Sequence, residues 1–293
     1  MYITDVWKAH KKPTLSFELF PARTEKGEIN LNKAIDKLYR LEPDFVSVTF
    51  GAGGSTRAGS RELIKKLKHE KGFDVMAYFA GYGLGPDEIN NVLKDYENIG
   101  IKNLLVVRGD PPHDQGSFTP HPDSMAHATD LLNYIKPKFD FCLGSAGYPE
   151  GHIDATSKEK DLEILKLKID NGAEFIIANY FYDNKFFFDF LERIHQAGIT
   201  VPVIPGIMPI YSAKMTINLA KLCGATIIDT IHNGLAAFEE KDRDGLNAFG
   251  IDFAFNQCKE LLQFGVPGIH IYTMNRSVST IGLVTKLKEE GLL

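Results

Sequence analysis

Short apolar segments alternate with longer amphipathic segments along most of the chain. Eight segments have the composition of β-strands, and we predict strands at Leu15–Phe20, Phe45–Phe50, Asp74–Phe79, Asn103–Arg108, Phe141–Ser145, Glu174–Phe181, Val201–Ile207 and Gly268–Thr273. The intervening spacing predicts helices near residues 31–41, 57–71, 87–99, 124–136, 158–171, 185–197, 212–223, 239–264 and 277–288. Glycines directly after several of these segments, such as Gly172 and Gly198, mark helix ends.

Strands that alternate with helices pair in parallel, because parallel neighbours need a crossover connection. Several of the strand segments are apolar on both faces, as doubly covered parallel strands are. Eight such units without a break in composition favour a single (β/α)8 TIM barrel of class α/β over residues 1–293, with an open doubly wound sheet as the alternative. The segment 224–238 is ambiguous: Ala225–Ile231 has β propensity, yet a ninth strand would break the eightfold count.

The composition narrows the class of protein. The chain has 293 residues, is 44% hydrophobic and carries a formal charge of −5, as a soluble globular protein does. It has no basic stripe for nucleic acid and no apolar run of roughly 18 residues for a membrane span. The first residues lack a signal-peptide pattern, and three widely spaced cysteines do not suggest disulfides. We therefore predict a reduced, cytoplasmic protein.

Polar residues at the ends of the predicted strands are the candidates for chemistry, because barrel active sites lie at the carboxyl ends of the strands. Glu18 lies in an apolar strand: pointing inward it would be a general acid with a raised pKa, and pointing outward it would pair with a helix lysine. The turn Gly51–Ser55 could hold an anion or simply connect strand and helix; it lacks the third glycine of a dinucleotide motif.

Further candidates follow later strands. Arg108 and Asp110 form either a pre-organised site or a salt bridge, and two prolines follow them. Tyr148 and His152 are suited to a planar ligand, and Asn179 is a polar amide in an aromatic strand. Asp161 and Lys168 are two helical turns apart on one face. The spacing of His113, His121 and His127 matches no metal motif, so we predict no metal site.

Six segments in order resemble the methylenetetrahydrofolate reductase family in its short bacterial form, which consists of the catalytic barrel alone. The matching segments span almost the whole chain: Ser16–Pro21, Phe45–Ala52, Arg108–Pro112, Tyr148–His152, Pro205–Pro209 and Tyr272–Arg276. The resemblance implies a barrel that binds FAD, with FMN as the alternative, and reduces 5,10-methylenetetrahydrofolate to 5-methyltetrahydrofolate with electrons from NAD(P)H.

The resemblance also implies roles for individual residues. Glu18 matches the general acid, and Asp110 matches the carboxylate that stabilises the cationic intermediate of the folate. Asn179, Tyr272 and Arg276, with Glu18 and Asp110, match substrate-binding positions. The flavin-binding positions match Thr49, Tyr78, Arg108, Gly109, Asp110, Ala128, Tyr148, His152, Asp161 and Lys168.

Three departures from the family pattern affect these roles. Asn179 stands where the family has Gln, and Tyr78 and Ala80 stand where it has His and Thr. These changes keep a second hypothesis open, in which the flavin-binding chain receives electrons from a partner subunit of a larger redox complex. A third hypothesis is a barrel enzyme without flavin that acts on a phosphorylated metabolite through Gly51–Ser55. We expect a homo-oligomer or a hetero-complex.

Overall fold

The strands form one parallel sheet in the computed structural model, which describes residues 1–9, 12–50, 57–109, 119–238 and 242–293. Every pair of neighbours in the order β7-β6-β5-β4-β3-β2-β1-β9-β8 is parallel. The strands are β1 (Thr14–Leu19), β2 (Phe45–Val48), β3 (Val75–Ala80), β4 (Asn103–Val107), β5 (Cys142–Gly147), β6 (Phe175–Ala178), β7 (Val203–Ile204), β8 (Gly206–Ile207) and β9 (Gly268–Tyr272).

Helices connect the strands except at the short break between β7 and β8, and one further helix precedes β1 and another follows β9. They are α1 (Ile3–Ala9), α2 (Glu25–Tyr39), α3 (Arg57–Lys65), α4 (Pro86–Ile99), α5 (Ala128–Ile135), α6 (Lys158–Asp170), α7 (Asn184–Gln196), α8 (Ala213–Cys223), α9 (Asp229–Ala236), α10 (Arg243–Phe264) and α11 (Ser277–Glu289). A π-helical turn at Lys66–Glu70 continues α3. No helix within the described ranges has the length and apolar character needed to cross a bilayer.

The barrel closes at Pro205. The predicted strand Val201–Ile207 is divided there: β7 pairs with β6 on one side, and β8 pairs with β9 on the other. Proline has no N–H to donate, and the carbonyl of Pro205 accepts a 3.0 Å hydrogen bond from the backbone of His270. The two short strands therefore share one of eight positions around the ring, which confirms the predicted (β/α)8 barrel and excludes the open sheet.

The structure decides one ambiguous segment, corrects the start of one predicted helix and adds a helix that the pattern did not predict. The ambiguous segment 224–238 contains no strand; it holds α9, and its isoleucines join an apolar cluster with residues that follow β6 and β8, such as Tyr180 and Met208. Helix α2 begins six residues earlier than predicted, because the side chain of Thr24 caps it by accepting from Gly27 N at 3.1 Å. The pattern also gave no signal for α1.

Helix α1 closes the amino-terminal end of the barrel. The backbone N–H of Ile3 donates to Asn103 Oδ1 at 2.8 Å, and Trp7 packs edge-on against Phe45 and Phe175. Inside, apolar side chains from alternate strand positions form a compact cluster with α1. Since this end is plugged, access to the interior is from the carboxyl ends of the strands.

Candidate active site

Glu18 lies inside the barrel, close to the carboxyl end of β1. Its side chain is 5% exposed, and its backbone is in register with Ser47 on β2 and Tyr272 on β9, whose side chains face the same way. Of the two orientations left open by the sequence, the structure has the inward one. The carboxyl group is therefore at the mouth of the barrel rather than paired with a helix lysine.

The carboxylate of Glu18 accepts a hydrogen bond from the hydroxyl of Tyr78 at 2.5 Å. Burial raises the pKa of Glu18 to about 7, and the hydrogen bond from Tyr78 opposes that rise. Burial and the nearby Glu18 charge raise the pKa of Tyr78 well above its usual range, so its hydroxyl remains a donor. A carboxyl group with this pKa can hold or release a proton at neutral pH.

A second cluster lies where β5 ends and α6 begins. The rings of Tyr148 and His152 meet edge to face with their centres 4.5 Å apart, and Lys168 Nζ lies 5.8 Å from the Tyr148 ring centre. Lys168 also donates to Ala146 O at 3.1 Å. Burial raises the pKa of Asp161, while Lys168 and His152 oppose it. Four side chains singled out from the sequence thus come together as cation, carboxylate and two rings.

The end of β4 adjoins the end of β3. Arg108 is exposed and donates to Asp154 Oδ2 at 3.3 Å. Gly109 has a φ of +85°, and a Cβ there would lie 2.8 Å from the Cβ of Ala80. A side chain at position 109 is thus excluded twice, by backbone conformation and by contact. The backbone after β4 therefore packs directly against the end of β3 at this point.

The remaining predicted cofactor residues occupy separate places. Thr49 follows β2, where its carbonyl accepts a 2.7 Å hydrogen bond from Ser60 Oγ. Ala128 is the buried first residue of α5. Asp110, His113 and the turn Gly51–Ser55 lie outside the described residues. Within the described ranges, no group of three or more His, Cys, Asp or Glu side chains is arranged to hold a metal ion.

Three of the predicted substrate residues lie at the ends of β6 and β9. Asn179 directly follows β6 and donates its backbone N–H to Gly147 O at 2.8 Å. Tyr272 Oη donates to Ala178 O at 3.2 Å. The ring of Tyr272 lies against Gly206, where a Cβ would be 2.4 Å from a ring carbon. The guanidinium of Arg276 lies 5.7 Å from the Tyr211 ring centre.

A known protein family matches this chain. The methylenetetrahydrofolate reductase family model matches residues 3–288, nearly the whole chain. The chain belongs to the methylenetetrahydrofolate reductase family. The resemblance drawn from six sequence segments is therefore confirmed at the level of the family.

Relatives within the methylenetetrahydrofolate reductase family differ in length. The 5,10-methylenetetrahydrofolate reductase of Escherichia coli is 35% identical over 266 residues, which cover 90% of this chain and 86% of that protein. Methylenetetrahydrofolate reductase (NADH) 1 of Arabidopsis thaliana is 35% identical over 283 residues, but they are only 48% of that protein. The chain spans about half the length of the plant and yeast relatives.

A solved structure shares the fold at low sequence identity. It is a Clostridium thermocellum protein that binds two copies of 5-methyl-5,6,7,8-tetrahydrofolic acid. It superimposes with a TM-score of 0.66 over 98% of both chains, at 19% identity. This likeness supports the barrel architecture of the family member described here.

Sequence reasoning missed the side chains that hold Glu18 in place. Thr273 Oγ1 donates to Glu18 O at 2.6 Å, and Asn275 makes two 2.9 Å hydrogen bonds to the backbone of Phe20. Met274 and Asn275 both have left-handed backbones, with φ of 50° and 55°. Asn tolerates that conformation, so an Asn just past a strand was an available signal. These contacts join the ends of β1 and β9.

Proposed function

We propose that this chain reduces 5,10-methylenetetrahydrofolate to 5-methyltetrahydrofolate, with Glu18 as the general acid. The observation that carries the proposal is the buried Glu18 carboxyl group at the mouth of the barrel, hydrogen-bonded to Tyr78 and with a pKa of about 7. Membership of the family and the names of the bacterial, plant and yeast relatives support the same reaction.

The chemistry requires a proton at a defined place. The five-membered ring of the substrate must open to an iminium cation, and the nitrogen that is released from the methylene carbon needs a proton donor. With a pKa near 7, a large fraction of Glu18 is protonated at neutral pH, and the group can donate without being held permanently neutral. By the family resemblance, we assign stabilisation of the cation to Asp110 and contacts with the folate to Asn179, Tyr272 and Arg276.

We also propose that a flavin, FAD or FMN, binds at the carboxyl ends of the strands. When bound and reduced, it supplies the hydride that the iminium carbon accepts. The residues present fit such a group: the Lys168 ammonium is suited to phosphate, the Asp161 carboxylate to hydroxyls, and the Tyr148 and His152 rings to a planar surface.

A second candidate concerns the electron donor. Ala80 lacks the hydroxyl of the Thr that the family has at this position. Tyr78, which is hydrogen-bonded to Glu18, stands where the family has a His. These two positions differ from the family pattern on the strand beside Gly109. In this alternative, the same folate chemistry receives electrons through a partner subunit rather than directly from NAD(P)H.

The proposed function is tested on the flavin-loaded protein by separating the two half-reactions in anaerobic rapid mixing. We expect Glu18→Gln to slow reoxidation by methylenetetrahydrofolate by about 100-fold or more, the scale of general acid catalysis. Reduction of the flavin by NADH should stay within a few-fold of the parent. The exposed Glu62→Gln serves as the matched control and should change neither rate.

Three results would decide against parts of this proposal. Unchanged folate reoxidation in Glu18→Gln would remove Glu18 from its role. Loss of both half-reactions with flavin still bound would do the same. Flavin that neither NADH nor NADPH bleaches, but that the folate reoxidises after chemical reduction, would establish the partner-subunit alternative.

A further inference from the structure

The loop between β5 and α6 carries two of the side chains proposed to hold the flavin, with an acidic residue between them. The rings of Tyr148 and His152 meet edge to face, and Glu150 lies two positions from each along the chain. No step of the proposed reaction uses Glu150. Its side chain is nevertheless partly buried, and its hydrogen bonds lead to a distant part of the chain.

The carboxylate of Glu150 is bound by Thr226, which lies between α8 and α9. The backbone N–H of Thr226 donates to both carboxylate oxygens at 3.1 Å, and its hydroxyl donates to Oε2 at 2.5 Å. Hydrogen bonds to a charged acceptor are stronger than those between neutral groups. Two donors from one residue also fix the direction of the contact, so Glu150 holds the two segments in a defined relation.

Glu150 occupies a central position of a tight turn. The N–H of Gly151 donates to the carbonyl of Tyr148 at 3.0 Å, which places Pro149 and Glu150 at the two middle positions. Arg193 on α7 donates to the Pro149 carbonyl at 2.9 Å. Each middle residue of the turn is therefore held by a different part of the barrel. The Glu150 contact is the one that reaches the segment after α8.

The segment that carries Thr226 packs near the ends of β6 and β9, where the proposed folate contacts lie. Ile227 and Ile228 belong to an apolar cluster that also contains Tyr180 and Tyr272. Tyr272 is itself one of the proposed folate contacts. The hydrogen bonds of Glu150 thus join the loop on the proposed flavin side to the segment on the proposed folate side.

The turn and the end of α8 are closely packed. Between them lies a cavity of about 10 Å³, lined by residues 148–151, 179–180 and 223–225. That is room for about one water molecule. The turn therefore has little space to move toward α8, and its remaining freedom is limited by its hydrogen bonds.

We propose that Glu150 is a positioning residue. By binding Thr226, it fixes the turn that sets the spacing of the Tyr148 and His152 rings, and it couples flavin binding to the segment between α8 and α9. The flavin part rests on the proposed function, whereas the effect on the two rings does not. Removal of either partner should disturb the rings, and removal of both should add little, because one contact is lost in each case.

The first measurement uses the full chain without ligand. The ring protons of His152, assigned by their loss in His152→Gln, are displaced in ¹H NMR by the neighbouring Tyr148 ring. At a pH well above the titration of histidine, we expect Glu150→Ala to move these signals toward the values of free histidine. Glu163→Ala, which removes an α6 carboxylate paired with Lys160, is the control and should leave them in place. Unmoved signals in Glu150→Ala overturn the positioning role.

The second measurement is the dissociation constant of FAD, followed by the fluorescence of the released flavin. We expect Glu150→Ala to raise it about 10-fold, the scale of a lost hydrogen bond to a charged group. Thr226→Val keeps the backbone N–H and should raise it less, whereas Thr226→Ser keeps both donors and should resemble the parent protein. In the Glu150→Ala background, Thr226→Val should have no further effect.

The outcomes separate this proposal from the proposed function. A dissociation constant unchanged in Glu150→Ala and Thr226→Val, with only the unfolding free energy lowered, would show a purely structural contact and overturn the coupling. A parent chain that binds no FAD would instead count against the flavin part of the proposed function. The ring signals of His152 then still decide whether Glu150 positions the loop.

Discussion

The hydroxyl of Tyr78 on β3 donates a 2.5 Å hydrogen bond to the carboxylate of Glu18 on β1, across the intervening strand β2. This bond stabilises the ionised carboxyl group, while burial favours the protonated one. The two influences together keep the pKa of Glu18 near neutrality instead of higher. The balance gives this barrel a carboxyl group that exchanges a proton in the pH range where an acid is useful.

Tyr78→Phe should raise the pKa of Glu18, because it removes the group that favours the ionised form and leaves the burial. A hydrogen bond to a charged group contributes about 1.5 kcal/mol, which corresponds to an increase of about one pH unit. The high-pH limb of folate reoxidation should therefore move to higher pH. Tyr134→Phe, whose hydroxyl contacts Asn90 outside the barrel, should leave the profile unchanged. A shift to lower pH would contradict the assigned donor.

The stability of the protein should depend on Glu18 between about pH 4.5 and 7. The folded pKa of about 7 exceeds the ordinary value of 4.5, so the folded state binds more protons than the unfolded state in that interval. Unfolding free energy is therefore lost as the pH rises. Relative to Glu18→Gln, the parent protein should lose about 3 kcal/mol of unfolding free energy between pH 4 and pH 9, as measured by chemical denaturation. A constant difference between the two proteins would refute this.

His270 should change the stability of the protein at lower pH, in the opposite direction to Glu18. Its folded pKa of about 3 lies below the ordinary 6.5, so the unfolded state takes up the proton first as the pH falls. Stability should decrease by about 1.4 kcal/mol per pH unit below pH 6 on this account. His270→Asn should lose this part of the pH dependence, whereas the exposed His195→Asn should retain it. Parallel pH curves for the parent and His270→Asn would count against a buried neutral ring.

Gly109→Ala should destabilise the protein more than Gly100→Ala. Both glycines are left-handed, with φ of +85° and +84°, and each substitution costs about 1 kcal/mol for the backbone. Only at position 109 does the new Cβ meet another atom, the Cβ of Ala80 at 2.8 Å. Measured from the Ala80→Gly background, the cost of Gly109→Ala should fall to that of Gly100→Ala. If Gly109→Ala and Gly100→Ala lowered the unfolding free energy equally, the contact with Ala80 would carry no energetic cost.

The sequence by itself determined the alternation of strands and helices, because periodicity records locally which face of each segment is buried. It also singled out Glu18, a charged residue in an apolar strand, and the six segments that indicate the family. The division at Pro205 was visible as a proline within a strand, but its consequence depended on which neighbours each half would meet.

Only the tertiary structure decided the surroundings of Glu18. Ser16 and His270 are 254 positions apart and meet because β1 and β9 close the ring. The partner of Glu18 comes from β3, two strands away, and its pKa depends on how completely the closed barrel excludes water. Local patterns carry no information on register across a closure or on the depth of burial that results. The chemistry of this site therefore depends on contacts that exist only after the barrel has formed.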